Sequence, residues 1–317
     1  MKISGFPILL GFIGLVTVTS LKVRGAGGAE RIELYTNHYL AAEIRNLRYL
    51  KVKNTPTSVW SLYEENLLNS AESRYSGNPK IFEAAAYIES EFRALGLEVS
   101  FDEFPSSDSS DFLTNRNIIG RLGGSGESIL VGAHYDSLPR AGAAPGADDN
   151  ASGVATLLSV ARALSTSNLK RSVVFVAFSG EEAGMVGSSH FANLVAPNFN
   201  IVGAIVLDMN GNPGTDRGIL LESVGDSPDK LRVIDTIADS MDPGIRSFVV
   251  NHDGFGSDHV PLSSIGIPSV LVIESENMKF SRLYGHTDRD VLSNIDPSFG
   301  AEIANTVTSA VVRLAMA

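Results

Sequence analysis

The chain has 317 residues, and its 25 Lys and Arg against 36 Asp and Glu leave a formal charge of −11. With 44% hydrophobic and 19% charged residues the composition is globular and excludes a wholly disordered chain, while the acidic balance lacks the electrostatic footprint of a nucleic-acid binder. Cys is absent, so disulfide scaffolds, thiolate zinc fingers, iron–sulfur clusters and Cys nucleophiles are excluded, and any metal must be held by His, Asp and Glu.

Residues 3–21 carry no charge; Lys2 precedes them, Lys22 and Arg24 follow, and small residues run from Gly25 to Ala29. This pattern reads as a secretory signal over residues 1–29, with a signal anchor as the alternative for an uncharged run of that length. The expected location is secreted or periplasmic, with no stable membrane partner once the signal is removed. Residues 30–76 form a helical lead-in, with helices over 32–50 and 58–70 split by Asn54-Thr55-Pro56; a removable prosegment is one reading of it. Residues 77–317 are assigned to a single catalytic domain.

After Asn78-Pro79, the spacing of Ala84, Ile88, Phe92 and Leu95 predicts a helix that Gly96 stops. Strands are predicted over 97–104, 117–122 and 128–133. A Gly-, Ala- and Pro-rich loop follows over 137–150, then a helix over 152–164. The run SVVFVAF over 172–178 is the strongest buried strand, followed by a helix over 183–195 and a strand over 202–207. A helix over 230–240, a strand over 269–273 and a last helix with Ile303, Val307, Val311 and Leu314 on one stripe complete the reading. Alternation of strands and helices implies βαβ units and an α/β fold, with a mixed, mostly parallel central sheet covered by helices on both faces. The stretches 213–262 and 274–285 are assigned to the walls of a site.

The acids and histidines fall at strand ends. His134 and Asp136 close one strand; Glu181 and Glu182 follow another; Asp208 ends a third; Asp148 and Asp149 sit in GADDNASG just before a helix. In a parallel α/β sheet these junctions share the edge where ligands bind. Like charges crowded there push protons on or the chain apart. Divalent cations relieve the repulsion, and mixed imidazole and carboxylate donors suit zinc-like ions better than calcium or magnesium. Asp136 is placed to accept the second ring N–H of His134 and so fix its tautomer. Asp149 and Asn150 are placed to cap the following helix. The sequon Asn150-Ala151-Ser152 is read as unused, because a glycan there would obstruct the crevice.

The segments HYDS at 134–137, GADDNASG at 146–153, FSGEEAGMVGS at 178–188, LDM at 207–209, SDHVPL at 257–262 and GHTDRD at 285–290 occur in that order. Together they resemble the dinuclear zinc peptidase family of secreted bacterial and fungal leucine aminopeptidases, which also contains glutaminyl cyclases and some carboxypeptidases. The similarity covers residues 74–316. The resemblance implies two Zn2+ per chain, with Co2+ or Mn2+ as alternatives. It implies that Asp148 bridges both metals, that His134 and Asp208 complete one site, and that Glu182 and His286 complete the other. Glu181 is implied as the general base acting on a water between the metals, and Asp149 as the residue after the bridge, where the family often carries a cis peptide. Asp136 is implied to orient His134, and Asp290 to support His286. Asp258 and His259 are expected to shape the pocket or back up the ligands.

Two departures stand out: there is no Cys for the disulfide some relatives carry, and Gly285 stands where some place a tyrosine before the last His. Tyr284 is therefore only a candidate carbonyl donor, a core or rim role being the alternative. The expected activity is removal of N-terminal, apolar residues from peptides. The alternatives are a glutaminyl cyclase, a carboxypeptidase or dipeptidase, and a non-catalytic binding domain on the same fold. A serine hydrolase is disfavoured by the lack of a G-x-S-x-G elbow, and HExxH is absent.

Overall fold

The computed structural model describes residues 54–317 except 72, 106–113, 125, 140–141 and 255. The expected signal and the first lead-in helix over 32–50 lie outside the described residues. No helix among the described residues is long and apolar enough to cross a membrane.

The chain begins with α1 (Thr57–Ser70) and α2 (Ile81–Ala94), then β1 (Glu98–Pro105), β2 (Thr114–Leu122) and β3 (Ser128–His134). Next come α3 (Gly153–Leu164), β4 (Ser172–Phe178), α4 (Val186–His190) continued by a wider turn over Phe191–Val195, and β5 (Ile201–Leu207). The last third holds β6 (Gly218–Glu222), α5 (Pro228–Ala238), β7 (Ser247–Asn251), α6 (His259–Ser264), β8 (Ser269–Glu274), α7 (Asn277–Leu283) and α8 (Pro297–Met316).

The eight strands form one sheet in the order β1-β2-β4-β3-β5-β8-β6-β7. β4, β3, β5 and β8 are mutually parallel. β1 and β2 pair antiparallel and join β4 antiparallel; β6 runs against β8 and along β7. The sheet is thus mixed with a parallel centre, as its sequence predicts. Every residue of β3, β4 and β8 is buried, which explains why they read as unbroken apolar runs: both faces are covered. On one face α3, α5 and α8 lie against the central strands, with α1 packed on α3 and α8. On the other, α4 and α6 pack on the sheet over a core of Leu130, Val176, Phe178, Phe191, Val206, Leu262 and Phe280.

Two segments differ from their predicted form. The helix expected over 183–195 starts only at Val186, because Gly184 and Met185 adopt left-handed φ of 98° and 59° and close a turn on the Glu181 carbonyl. β6, β7, α6 and α7 lie in stretches read only as walls; at five to seven residues each, they are too short to display a period.

Helix α1 is docked by its largest side chain. Trp60 is fully buried and donates from Nε1 to Thr156 Oγ1 at 3.0 Å on α3. It lies so close to α8 that a Cβ on Gly300 would come within 2.2 Å of the indole. Trp60→Ala should therefore cost about 3–5 kcal/mol, measured as a lowered urea midpoint.

Candidate metal centre

The parallel strands deliver their carboxyl ends to one edge, and the chain passes from β3 to β4 on one side and to β5 on the other. That reversal makes the crevice at the end of β3 a switch point where ligands bind. His134 is the last residue of β3, Glu181 and Glu182 follow β4, and Asp208 follows β5. Asp149 lies in the turn before α3, and His286 follows α7 in a left-handed conformation (φ 58°).

His134 Nε2 lies 3.4 Å from Asp208 Oδ1 and 3.4 Å from Asp149 Oδ1. His286 Nε2 lies 3.0 Å from Glu182 Oε2 and 3.3 Å from Asp149 Oδ2. The crevice therefore holds two His-carboxylate groups that share Asp149, and within each group the donor atoms lie within 4.8 Å of one another. Glu181 is half-buried beside them and belongs to neither group.

Asp149 and Glu182 beside His286 raise its pKa to about 10. Burial opposes protonation of His134, yet Asp208 and Glu181 hold its pKa well above the usual value. Burial would raise Asp208, but His134 wins and lowers it. Burial pushes Glu182 up to about 7, and Glu181 well above the carboxylate range.

Asp148, the bridging residue the resemblance implied, lies in neither group. Its Oδ1 accepts the Gly211 N–H at 2.9 Å, and its side chain faces the buried Glu274 carboxyl; burial raises both acids. Neighbouring residues on a turning backbone point in different directions, and here the second aspartate faces the crevice. The cis peptide is Asp149–Asn150, one residue later than expected, and it again follows the shared carboxylate. Asn150 is fully buried, donates to Leu207 O at 2.9 Å and caps Gly153 N–H at 2.9 Å, so the sequon is inaccessible.

His134 Nδ1 lies 3.2 Å from the Asp136 backbone carbonyl and 3.6 Å from its carboxylate, so the main chain of Asp136 takes the ring contact expected of its side chain, while the carboxylate accepts the backbone N–H groups of Glu181 and Glu182, each at 3.2 Å. Asp136 thus touches three candidate residues, one through its carbonyl and two through its carboxylate. Asp290 accepts the N–H groups of Asp148 at 2.8 Å and Asp149 at 3.0 Å; it supports the loop carrying Asp149 in place of the expected contact with His286. Asp258 and His259 are buried outside both groups, with burial taking Asp258 up to about 7 and His259 down to about 4. Their neighbour Ser257 donates to Asp208 Oδ2 at 2.9 Å. The Tyr284 ring packs 5.0 Å from Phe280 against the apolar core, the alternative role for this residue. At Gly285 a Cβ would come within 2.9 Å of the Ser281 backbone, so the tyrosine of some relatives has no room there.

The donor set fits a pair of zinc-like ions. Two imidazoles and three carboxylates converge, one carboxylate is common to both groups, and Glu182 Oε1 is buried with no hydrogen-bond partner. Sequence reasoning missed the role of Ser257, although it opens the SDHVPL segment, and missed Glu274 and the buried Arg74, neither of which stands in a diagnostic segment.

The model of peptidase family M28 matches residues 117–311. The chain belongs to this family. Leucine aminopeptidase 1 of Ajellomyces capsulatus (strain NAm1 / WU24) is 32% identical over 264 residues, covering 75% of this chain and 64% of that protein, so the chain spans less than two thirds of its relative's length. The fold matches BSAP, a zinc aminopeptidase from Bacillus subtilis, with a TM-score of 0.72 and 18% identity over 83% of this chain and 97% of that one. It equally matches a Bacteroides thetaiotaomicron glutaminyl cyclase bound to N-acetylhistamine, with a TM-score of 0.70 and 20% identity over 83% and 99%. The fold thus admits more than one reaction, and the site must decide between them.

The shared carboxylate sets an expectation for metal analysis. Asp149→Asn should lose bound metal from both groups, whereas Asp148→Asn should retain it, as read by elemental analysis after dialysis.

Proposed function

We propose that this M28 peptidase is an aminopeptidase that holds two zinc ions per chain and removes N-terminal, preferentially apolar, residues from peptides. The observation that carries the reading is Asp149, whose two oxygens face His134 and His286. His134 and Asp208 would hold one ion, Glu182 and His286 the other, and Asp149 both. A bound zinc pair supplies positive charge that polarises the scissile carbonyl and lowers the pKa of water.

Glu181 is left to move the proton. Burial raises its pKa above the usual carboxylate range, and a positioned general base contributes about 10²–10⁴-fold. It would accept a proton from water as the water oxygen bonds to the carbonyl carbon, then donate it to the amine nitrogen as the C–N bond breaks. Asp136 holds the backbone of Glu181 and Glu182 together, so the base and its neighbouring ligand keep one relation. Ser257 fixes Asp208, and Asn150 ties the Asp149 turn to the end of β5. The uncharged run over residues 3–21 supports an exported enzyme, and the leucine aminopeptidase relative supports one acting on peptides.

Cleavage of leucyl-p-nitroanilide beside its N-acetylated twin tests the reading. Release from the free amine alone, abolished by a zinc chelator, is the expected result. Release from the acetylated twin would overturn the aminopeptidase reading, and turnover of glutaminyl peptides without p-nitroaniline release would indicate a cyclase. Glu181→Gln should keep its metal and lose about 10²–10⁴-fold in kcat; a near-normal rate would remove Glu181 as the base.

A further inference from the structure

We propose that Arg74 is a positioning residue for the metal centre: from outside the region matched by the family model, it fastens the loop that presents Asp149 to the strand end that presents His134. The inference rests on the two-ion reading above.

Arg74 is the one fully buried arginine or lysine among the described residues. Its guanidinium spans two segments. Nε donates to Tyr135 O at 2.7 Å, immediately after His134, while the terminal nitrogens donate to Pro145 O and, at 2.8 Å, to Gly146 O. Its main chain is tied to the same strand exit, with Arg74 N–H donating to Ser137 Oγ at 3.0 Å and Ser137 N–H donating to Arg74 O at 3.3 Å. A planar fork with fixed donors can hold three carbonyls at once; a lysine ammonium on a flexible stem cannot.

The loop has no slack between these anchors. Gly146 is left-handed (φ 58°), and a Cβ there would lie 2.3 Å from Asp149 O and 3.0 Å from the Arg74 guanidinium. Asp290 clamps the next residues by accepting the N–H groups of Asp148 and Asp149. Arg74 also places positive charge among Asp290, Asp136, Asp149 and Glu182. Held this way, the Asp149 oxygens stay between the two histidines before any ion binds.

Arg74 lies between α1 and α2, in the lead-in read from sequence as a possible prosegment. Trp60 and the Thr55 N–H, which donates to Asn305 Oδ1 at 2.7 Å, anchor the same segment. Removing the whole of residues 30–76 would take out part of the site's support, so a processed enzyme keeps the chain from α1 onward.

The test uses the full chain, stripped by chelator and titrated with Zn2+ against a chromophoric competitor, in wild type, Arg74→Lys and Arg74→Ala. Both variants should bind zinc about 10–100-fold more weakly and lose kcat more than KM. The zinc-dependent rise in Tm should shrink beyond whatever the metal-free Tm loses, and millimolar guanidinium should restore zinc binding to Arg74→Ala. Wild-type zinc affinity in both variants, or equal losses of Tm with and without metal, would overturn the proposal. Should neither variant fold, Ser137→Ala decides: weaker zinc binding supports the role, and unchanged binding overturns it. A wild-type chain that binds no zinc would instead sink the functional reading on which this one rests.

Discussion

The centre of this protein depends on one electrostatic constraint: a sheet edge that buries many carboxylates must supply compensating positive charge. Asp136, Asp148, Asp208, Asp258, Glu274 and Asp290 are all buried at or behind the crevice, with Asp149, Glu181 and Glu182 beside them. Desolvation penalises each charged carboxylate, and proximity penalises them together. Among the described residues, the imidazoles of His134 and His286 lie against these acids, whose charge pushes both pKa values up, and the buried Arg74 guanidinium stands behind them. The donors left facing each other across 3.0–3.4 Å are the ones divalent ions would satisfy.

The remaining carboxylates act on backbone. Asp136 and Asp290 each accept two consecutive N–H groups, one pair on the Glu181–Glu182 turn and the other on the Asp148–Asp149 turn. Ionised acceptors make the stronger hydrogen bonds, and a carboxylate bound at both oxygens fixes direction as well as position. Asp136 and Asp290, expected from the resemblance to orient His134 and support His286, are therefore the braces of the two turns that carry the candidate residues. This also explains why these turns can depart from regular helix: their N–H groups are satisfied from outside.

The division between scaffold and specificity follows. β3, β4, β5 and β8 are the buried centre from which the functional turns project, and the same architecture appears in an aminopeptidase and in a cyclase. β6, β7, α6 and α7 are short, and several residues of β7 and α7 are exposed, among them Val249, Met278 and Leu283. Such wall elements can change without disturbing the core, which is where members of one fold diverge in what they accept.

Sequence alone determined the fold class, the central strands and the edge at which the chemistry collects. Buried parallel strands must be continuous apolar runs, and residues after them must fall at one edge, so periodicity and order suffice. His134, Glu181, Glu182 and Asp208 were legible for that reason, and His286 only through family resemblance, since it follows a short helix with no strand to announce it. What only the tertiary structure decided was direction and partnership. Asp148 and Asp149 are chemically identical neighbours, and one hydrogen bond from Gly211, 63 residues away, separates the braced acid from the shared one. Arg74 and Asp290 are likewise tied to the Asp149 loop across 72 and 142 residues of chain. No local pattern encodes such contacts, because they arise only when the sheet brings its strand ends together.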